Sequence, residues 1–329
     1  MNDFLVGILN GINSVVQSYG WSIVVFTLLI RLVLFPLDYK SRKSMRRMSK
    51  LQPEMAKLQK KYANDKEKLN LKMSELYRKE KVNPLAGCVP MLLSFPVLIA
   101  MFGAMRYIAN MELAKQAIDL ITTGVQSNEG WLWVKNLWMP DSPFYAMIAD
   151  QNSLKAIPAD IWAKVFEALS PEKVSALAGL GDGLAIAAGN ISGETIFAAL
   201  SQSAVYAREM QLWAAMPSVN LLITQISIYA NANGWFLLPL LSAVTQFLMA
   251  ATQPQQPAAD GQAAGTNKMM KYFMPLFSLW ICWSYNAGFA LYWVAANVIS
   301  GVQGVVLNQY FDAQEKKTAQ LTVGEGSLK

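Results

Sequence analysis

One arginine, Arg31, stands inside the run TLLIRLVLFPL (Thr27–Leu37), with ten apolar or weakly polar residues before it from Trp21 and six after it to Leu37. A charge at the centre of a membrane-spanning helix costs about 2.5–3.5 kcal/mol on insertion scales, so it needs a polar partner, a watery cavity or an escape to the interface. Escape past Pro36 and Asp38, about 8–10 Å along the helix axis, and hydration in a cavity fit the spacing equally well. Thr27 lies one turn from Arg31 on the same face, and later apolar stretches add Gln246, Ser284, Asn286, Asn297 and Gln303. Each of these alone is as readily interhelical glue; together with Arg31 they favour a polar cavity. The chain has no histidine, which excludes a Ser-His-Asp triad and a His-ligated zinc. No Asp or Glu lies within the apolar windows, which argues against proton or sodium coupling. Transient non-covalent contact with something polar or acidic is the chemistry expected, with no catalytic residue, metal or cofactor.

These side chains need a membrane scaffold. The chain is 53% hydrophobic and only 15% charged, with a positive mean hydropathy, which predicts an all-α polytopic membrane protein. Four windows are long enough to cross a bilayer: residues 21–37, 85–105, 234–252 and 288–308. A fifth, 272–286, is short and predicts local bilayer thinning or a partial span. Cys88 and Cys282 fall in such windows, so a disulfide framework is not expected. No cleavable signal peptide is evident, and residues 21–37 read as an uncleaved anchor. Residues 38–81 carry fifteen Lys/Arg against six Asp/Glu, whereas residues 106–233 carry seven against eleven. That bias puts the first segment in the cytoplasm, the second and the N-terminus outside, and the C-terminus inside.

Residues 1–20 space Phe4, Ile8, Ile12 and Val15 for a short amphipathic helix on the outer surface or for an extension of the first span. Residues 38–84 read as a basic helical hairpin: Leu51, Met55, Leu58 and Tyr62 form one stripe and Leu69, Met73 and Leu76 another, with a turn at Asn64-Asp65. Its charges serve solubility and orientation, or contact with an acidic partner. The segment 106–233 is expected to be mainly helical, with helices in PADIWAKVFEAL and SPEKVSALAGL and a Gly-rich loop at 179–193. Residues 253–271 are a linker, and the tail 309–329 is expected to be mobile after Phe311. Ala296, Ser300 and Gly304 make a small-residue ladder for close helix packing.

The runs YGWSIVVFTLLIRLVLFPL, NPLAGCVPMLLSFPVLIAMF, WLWVKNLWMPDSPFY, FLLPLLSAVTQFL and NKMMKYFMPLFSLW with GFALYWVAANVISGVQ resemble, in order and loop context, the YidC-type membrane protein insertases of the bacterial cell membrane. The resemblance implies a five-helix core with a hydrophilic groove open to the cytoplasm and to lipid, in the compact form that lacks a large domain between the first two core spans. The family's groove arginine falls on Arg31 and its neighbour on Thr27; the aromatic pair of the last span falls on Tyr292 and Trp293. Where relatives carry a Gln-Lys-like end to the third core span, this chain has Ala250-Ala251-Thr252, and Gln246, one turn earlier, is the substitute; Asn297 of the last span is a further groove residue. Residues 146–233 form an insertion without a family counterpart. The implied function is a membrane insertase and chaperone acting on nascent membrane proteins. The Sec translocon, ribosomes and targeting factors are its implied partners; Arg42, Lys43, Arg46, Arg47, Lys60 and Lys61 of the hairpin would meet ribosomes or targeting factors, with attraction to anionic lipid headgroups the competing reading of the same charge. A small-solute or lipid transporter and a structural partner of the Sec translocon are the competing readings.

Overall fold

The computed structural model describes residues 2–80, 82, 89–179, 191–214, 218–221, 224–228, 231–253 and 269–326. The start of the second apolar window, most of the Gly-rich loop and most of the 253–271 linker lie outside the described residues. Helices α1 (Asn2–Val16), α2 (Tyr19–Lys50), α3 (Gln52–Lys61), α4 (Lys66–Lys79) and α5 (Val89–Thr123) lead into a segment of shorter elements. These are α6 (Gln151–Lys155), α7 (Ala159–Glu167), α8 (Pro171–Ala178), α9 (Gly193–Gln202) and α10 (Ala204–Ala214), then strands β1 (Ser218–Leu221) and β2 (Thr224–Ser227). After them come α11 (Leu237–Thr252), a π-helical turn (Met269–Phe273), α12 (Met274–Ser284) and α13 (Ala287–Gly326). The strands pair antiparallel, with Ser218 opposite Ser227 and Leu221 opposite Thr224, an element the helical expectation for this segment did not contain.

By length and composition, Tyr19–Lys50, Pro96–Thr123 and Ala287–Lys317 can cross a membrane, while Leu237–Thr252 is a shorter apolar helix. Hydrophobic windows locate these helices but not their ends. α2 runs through Pro36 to Lys50, so residues 38–50 extend the first long helix, and the hairpin proper is α3 and α4. Pro53 sits in the first turn of α3, and Asp65 caps α4, its carboxylate accepting from the Lys68 N–H at 3.0 Å. α5 continues to Thr123, well past the window that ends at Met105. α13 extends to Gly326, so the tail expected to be mobile is helical as far as it is described. α1 forms as a helix, but the residues it buries are Leu5 and Leu9, whereas Phe4 and Val15 are exposed. Its inward face is thus rotated from the Phe4–Val15 stripe.

The chain divides into two compact units: residues 1–26, 99–241 and 279–293 form one, and residues 27–98, 242–278 and 294–329 the other. The core of the first is aromatic and aliphatic, with Trp138, Trp162, Phe26 and Phe289 nearly inaccessible. Lys173 pairs with Asp119 at 2.5 Å, tying α8 to the far end of α5, and Lys164 lies over the Tyr107 ring at 5.3 Å, tying α7 to its middle. In the second unit α3 packs on α4, burying Met55 and Leu76.

Candidate functional site

The second unit holds four of the six expected groove residues. Thr27, Gln246 and Asn297 are buried, as are Ser242 and Ser300, while Arg31 is half-buried and makes no ion pair among the described residues. Asp38, two turns further along α2, is an acid in electrostatic reach of both Arg31 and Arg42. Asn297 directs its amide to the Ser242 carbonyl at 3.5 Å and the Thr245 hydroxyl at 3.4 Å, contacts long enough to be weak. The side-chain carbonyl of Gln303 is buried with no hydrogen-bond partner among the described residues. A buried amide or hydroxyl without a good partner costs about 1–3 kcal/mol, so the long contacts of Asn297 and the unpartnered Gln303 oxygen on α13 are not explained by packing alone.

The other expected polar groups have local duties. Asn286 is the N-cap of α13, its side-chain oxygen accepting from the Phe289 N–H at 2.9 Å. Ser284 bonds back to the Trp280 carbonyl on its own helix. Tyr292 and Trp293 belong to the first unit, and each is only 6% exposed. Both rings lie against Phe289, at 6.3 and 5.7 Å between centroids.

Two clusters emerge that the sequence reading did not assign. The first joins α2, α11 and α13. The Arg42 guanidinium, itself buried, donates to the Thr252 carbonyl at 3.3 Å and the Ser300 carbonyl at 3.5 Å, and Asn308 donates to the same Thr252 carbonyl at 3.1 Å. A cation and an amide thus satisfy the C-terminal end of α11, where the helix dipole favours positive charge. Gly304 makes room for this: a Cβ there would stand 2.7 Å from the Thr252 hydroxyl and 2.9 Å from a guanidinium nitrogen of Arg42. Further along, Arg46 pairs with Asp312 and Lys50 with Glu315 at 2.9 Å. Of the six basic residues expected to meet a partner, Arg42 and Arg46 are therefore engaged within the chain, and Lys43, Arg47, Lys60 and Lys61 are exposed.

The second cluster is the loop 129–141, which supplies acceptors to three helix starts. Glu129 accepts from the Tyr19 N–H of α2 at 2.6 Å. Asp141, fully buried, accepts from the Trp235 and Leu238 N–H groups at the start of α11, at 2.9 and 2.6 Å, and from the Trp133 indole at 3.0 Å. The carbonyls of Met139 and Leu137 accept from Ala287 and Gly288 at the start of α13. Asn136 and Asn233 brace the loop from inside: the Asn233 amide donates to the carbonyls of Asn136, Met139 and Pro140, and its oxygen accepts from the Asn136 N–H. Burial holds the Glu129 carboxyl above the usual carboxylate range; the Tyr19 N–H opposes this shift and Glu112 adds to it. The motif WLWVKNLWMPDSPFY carried this information as residues, but caps acting across a hundred positions leave no local spacing to read.

Comparison with known proteins follows this geometry. A model of the 60Kd inner membrane protein family matches residues 11–169 and 195–315. A protein of Fusobacterium nucleatum named membrane protein insertase YidC is 42% identical over 147 residues, 45% of this chain and 63% of that relative. One of the same name from Anaeromyxobacter dehalogenans is 42% identical over 145 residues, 44% of this chain and 24% of the relative. Another, from Leptospira interrogans, is 28% identical over 307 residues, 93% of this chain and 33% of the relative. The chain thus spans less than two thirds of the length of these relatives. Since the family model covers both the arginine-bearing first span and the loop that caps the later ones, the chain belongs to the 60Kd inner membrane protein family and is an all-α polytopic membrane protein.

Proposed function

We propose that this protein is a membrane protein insertase and chaperone of the bacterial cell membrane. It accepts newly made transmembrane segments from the cytoplasm in a hydrophilic groove open to the cytoplasm and to lipid, and releases them sideways into the bilayer. The observation that carries this reading is the polar seam of the second unit: buried Thr27, Gln246 and Asn297 and a half-buried Arg31 that makes no ion pair among the described residues, set in the apolar stretches of their helices. A fixed positive charge beside weakly satisfied amides is a hydrated foothold for the polar flank of a client, and acidic flanks gain most from it. Transfer of the client's apolar helix into lipid supplies the driving force, so no covalent step is required. The short helices lower the remaining barrier. α11 has 16 residues and α12 has 11, about 24 and 17 Å at the helical rise, against a hydrocarbon core of about 30 Å, so lipid beside them thins to match.

Nascent membrane proteins are the clients, and the exposed Lys43, Arg47, Lys60 and Lys61 are the residues for ribosome, targeting-factor or anionic-lipid contact. The test is to deplete the protein and follow radiolabelled single-span clients with acidic outer tails. They remain protease-protected inside the cell; normal insertion would end the insertase reading. Arg31→Ala slows these clients while Arg31→Lys restores them in large part; if neither variant alters any client, the charge has no role in the groove.

A further inference from the structure

The loop 129–141 does more than cap helices: its Trp131 and Trp133 join Trp21 and Trp235 in a row of indoles. Trp21, at the start of α2, meets Trp131 edge to face with centroids 5.5 Å apart, and Trp131 meets Trp133 at 6.1 Å. Trp133 and the Trp235 backbone share the Asp141 carboxylate, which extends the row to Trp235. The approach of Trp131 to α2 is close enough that a Cβ on Gly20 would overlap the indole ring. Leu132, between two of these tryptophans, is held at a φ of +51°, and Phe236, beside the last, at +65°. Left-handed backbone at residues other than glycine is costly and persists only where the surroundings impose it. At Leu132 the result is a leucine side chain 68% exposed, and the neighbouring Trp235 is 74% exposed.

An exposed apolar row of this kind needs a cover, and its neighbours identify one. The row is continuous with lipid-facing helix surface: Trp21 leads into exposed Val25 on α2, and Trp235 into exposed Leu237, Leu240 and Leu241 on α11. In a polytopic membrane protein those helix faces meet hydrocarbon, so the indoles stand where the hydrocarbon ends. Indoles prefer that layer because the ring is apolar while its N–H seeks water or a headgroup. The recess beside them, of about 510 Å³, has a polar rim of Gln126, Asn128 and Lys135, which suits the headgroup side of the same layer.

We propose that the exposed Trp21, Leu132 and Trp235, backed by Trp131, whose indole nitrogen is buried, form an interfacial anchor that seats the 129–141 loop in the glycerol–headgroup layer of the membrane. Because the same loop caps α2, α11 and α13, the anchor fixes the depth at which all three helices begin. The proposal rests on membership of a membrane protein family and not on insertase activity, so the two fail separately.

The experiment places an environment-sensitive dye on Leu132→Cys, and independently on Trp235→Cys, in the full chain with Cys88 and Cys282 replaced by alanine. The protein is reconstituted in phosphatidylethanolamine–phosphatidylglycerol vesicles. The expected result is blue-shifted emission at both positions, quenched about twofold more by lipids with a nitroxide near the headgroup than by lipids with one deep in the acyl chain, and little quenched by aqueous iodide. Three results overturn the proposal: strong iodide quenching with no effect of nitroxide lipids, which places the loop in water; strongest quenching by the deep nitroxide, which places it in hydrocarbon; and blue emission that no lipid nitroxide reaches or that is lost on diluting protein in lipid, which makes protein the cover. Both positions carry exposed side chains, so a folding defect at one leaves the other to decide.

Discussion

At the scale of single residues, burial and hydrogen bonding mark the polar groups that hold the protein together. Asp141 is of the first kind, a buried carboxylate with three N–H donors. Its replacement by alanine leaves those donors unpaired and lowers stability by about 2–4 kcal/mol; measurement of the unfolding equilibrium in detergent micelles checks this, and loss below about 1 kcal/mol would contradict the capping role. Gly304 is a second case. A methyl there must displace the Arg42 guanidinium or the Thr252 hydroxyl, so Gly304→Ala costs about 1–3 kcal/mol by overpacking. Arg42→Ala in the same chain should remove most of that penalty, because the crowded group is gone. A double-mutant cycle measures this coupling. Arg31 stands apart from both: it makes no ion pair among the described residues, so under the proposed function its substitution is expected to slow insertion of clients while leaving the unfolding equilibrium nearly unchanged.

At the scale of elements, the loop 129–141 makes the start of α2 sensitive to pH. The Glu129 carboxyl is held above its ordinary range chiefly by burial, so the folded state binds its proton more tightly than the unfolded chain does. Its stabilising contribution is fully present below the ordinary carboxylate value and is lost as pH rises through the raised one. Glu129→Gln keeps an oxygen acceptor for the Tyr19 N–H and removes the titration. The variant is therefore expected to be at least as stable as the parent at neutral pH and to show a flatter dependence of melting temperature across the acid range. A wild-type slope that survives the substitution would assign the pH effect elsewhere. The extensions of α2 and α13 are joined differently, by Arg46 with Asp312 and Lys50 with Glu315. These pairs are part-exposed and contribute about 1 kcal/mol or less each at moderate salt. The surface pairs do not reach α11, whose C-terminal end is joined to α2 and α13 by Arg42 and Asn308 at the Thr252 carbonyl.

At the scale of the whole molecule, the charge difference between residues 38–81 and 106–233 predicts a sided protein. Lys61→Cys and Lys155→Cys, both at exposed positions, separate the two faces. A membrane-impermeant maleimide applied to intact spheroplasts is expected to label the cysteine at 155 and to reach that at 61 only after lysis. The reverse pattern would invert the orientation and with it the direction of insertion. Residues 170–194 lie outside the matched family regions, yet Leu177 there is fully buried and Lys173 is paired with Asp119. The family model matches residues 146–169 and 195–233, so of the insertion expected at 146–233 only 170–194 lacks a family counterpart, and its described residues up to Gly179 are tied into the first unit.

The amino-acid sequence by itself determined the solvent, the class and the approximate place of each apolar helix, because hydrophobic runs and charge bias are local properties that need no partner to be read. It also singled out Arg31, since a charge in an apolar run is conspicuous at any fold. The tertiary structure decided where helices begin and end and which polar groups are spent. α11 starts at Leu237 because a carboxylate from Asp141, ninety-six positions earlier, takes its first N–H groups. α2 passes its apolar window and runs on to Lys50, with Arg42 and Arg46 meeting partners some 210 to 266 positions away. Asn286 looked like groove polarity in sequence and is a helix cap in the fold. Hydrogen bonds between distant segments depend on which backbone groups are left unpaired at helix ends, and that is a property of the packed chain rather than of any stretch within it.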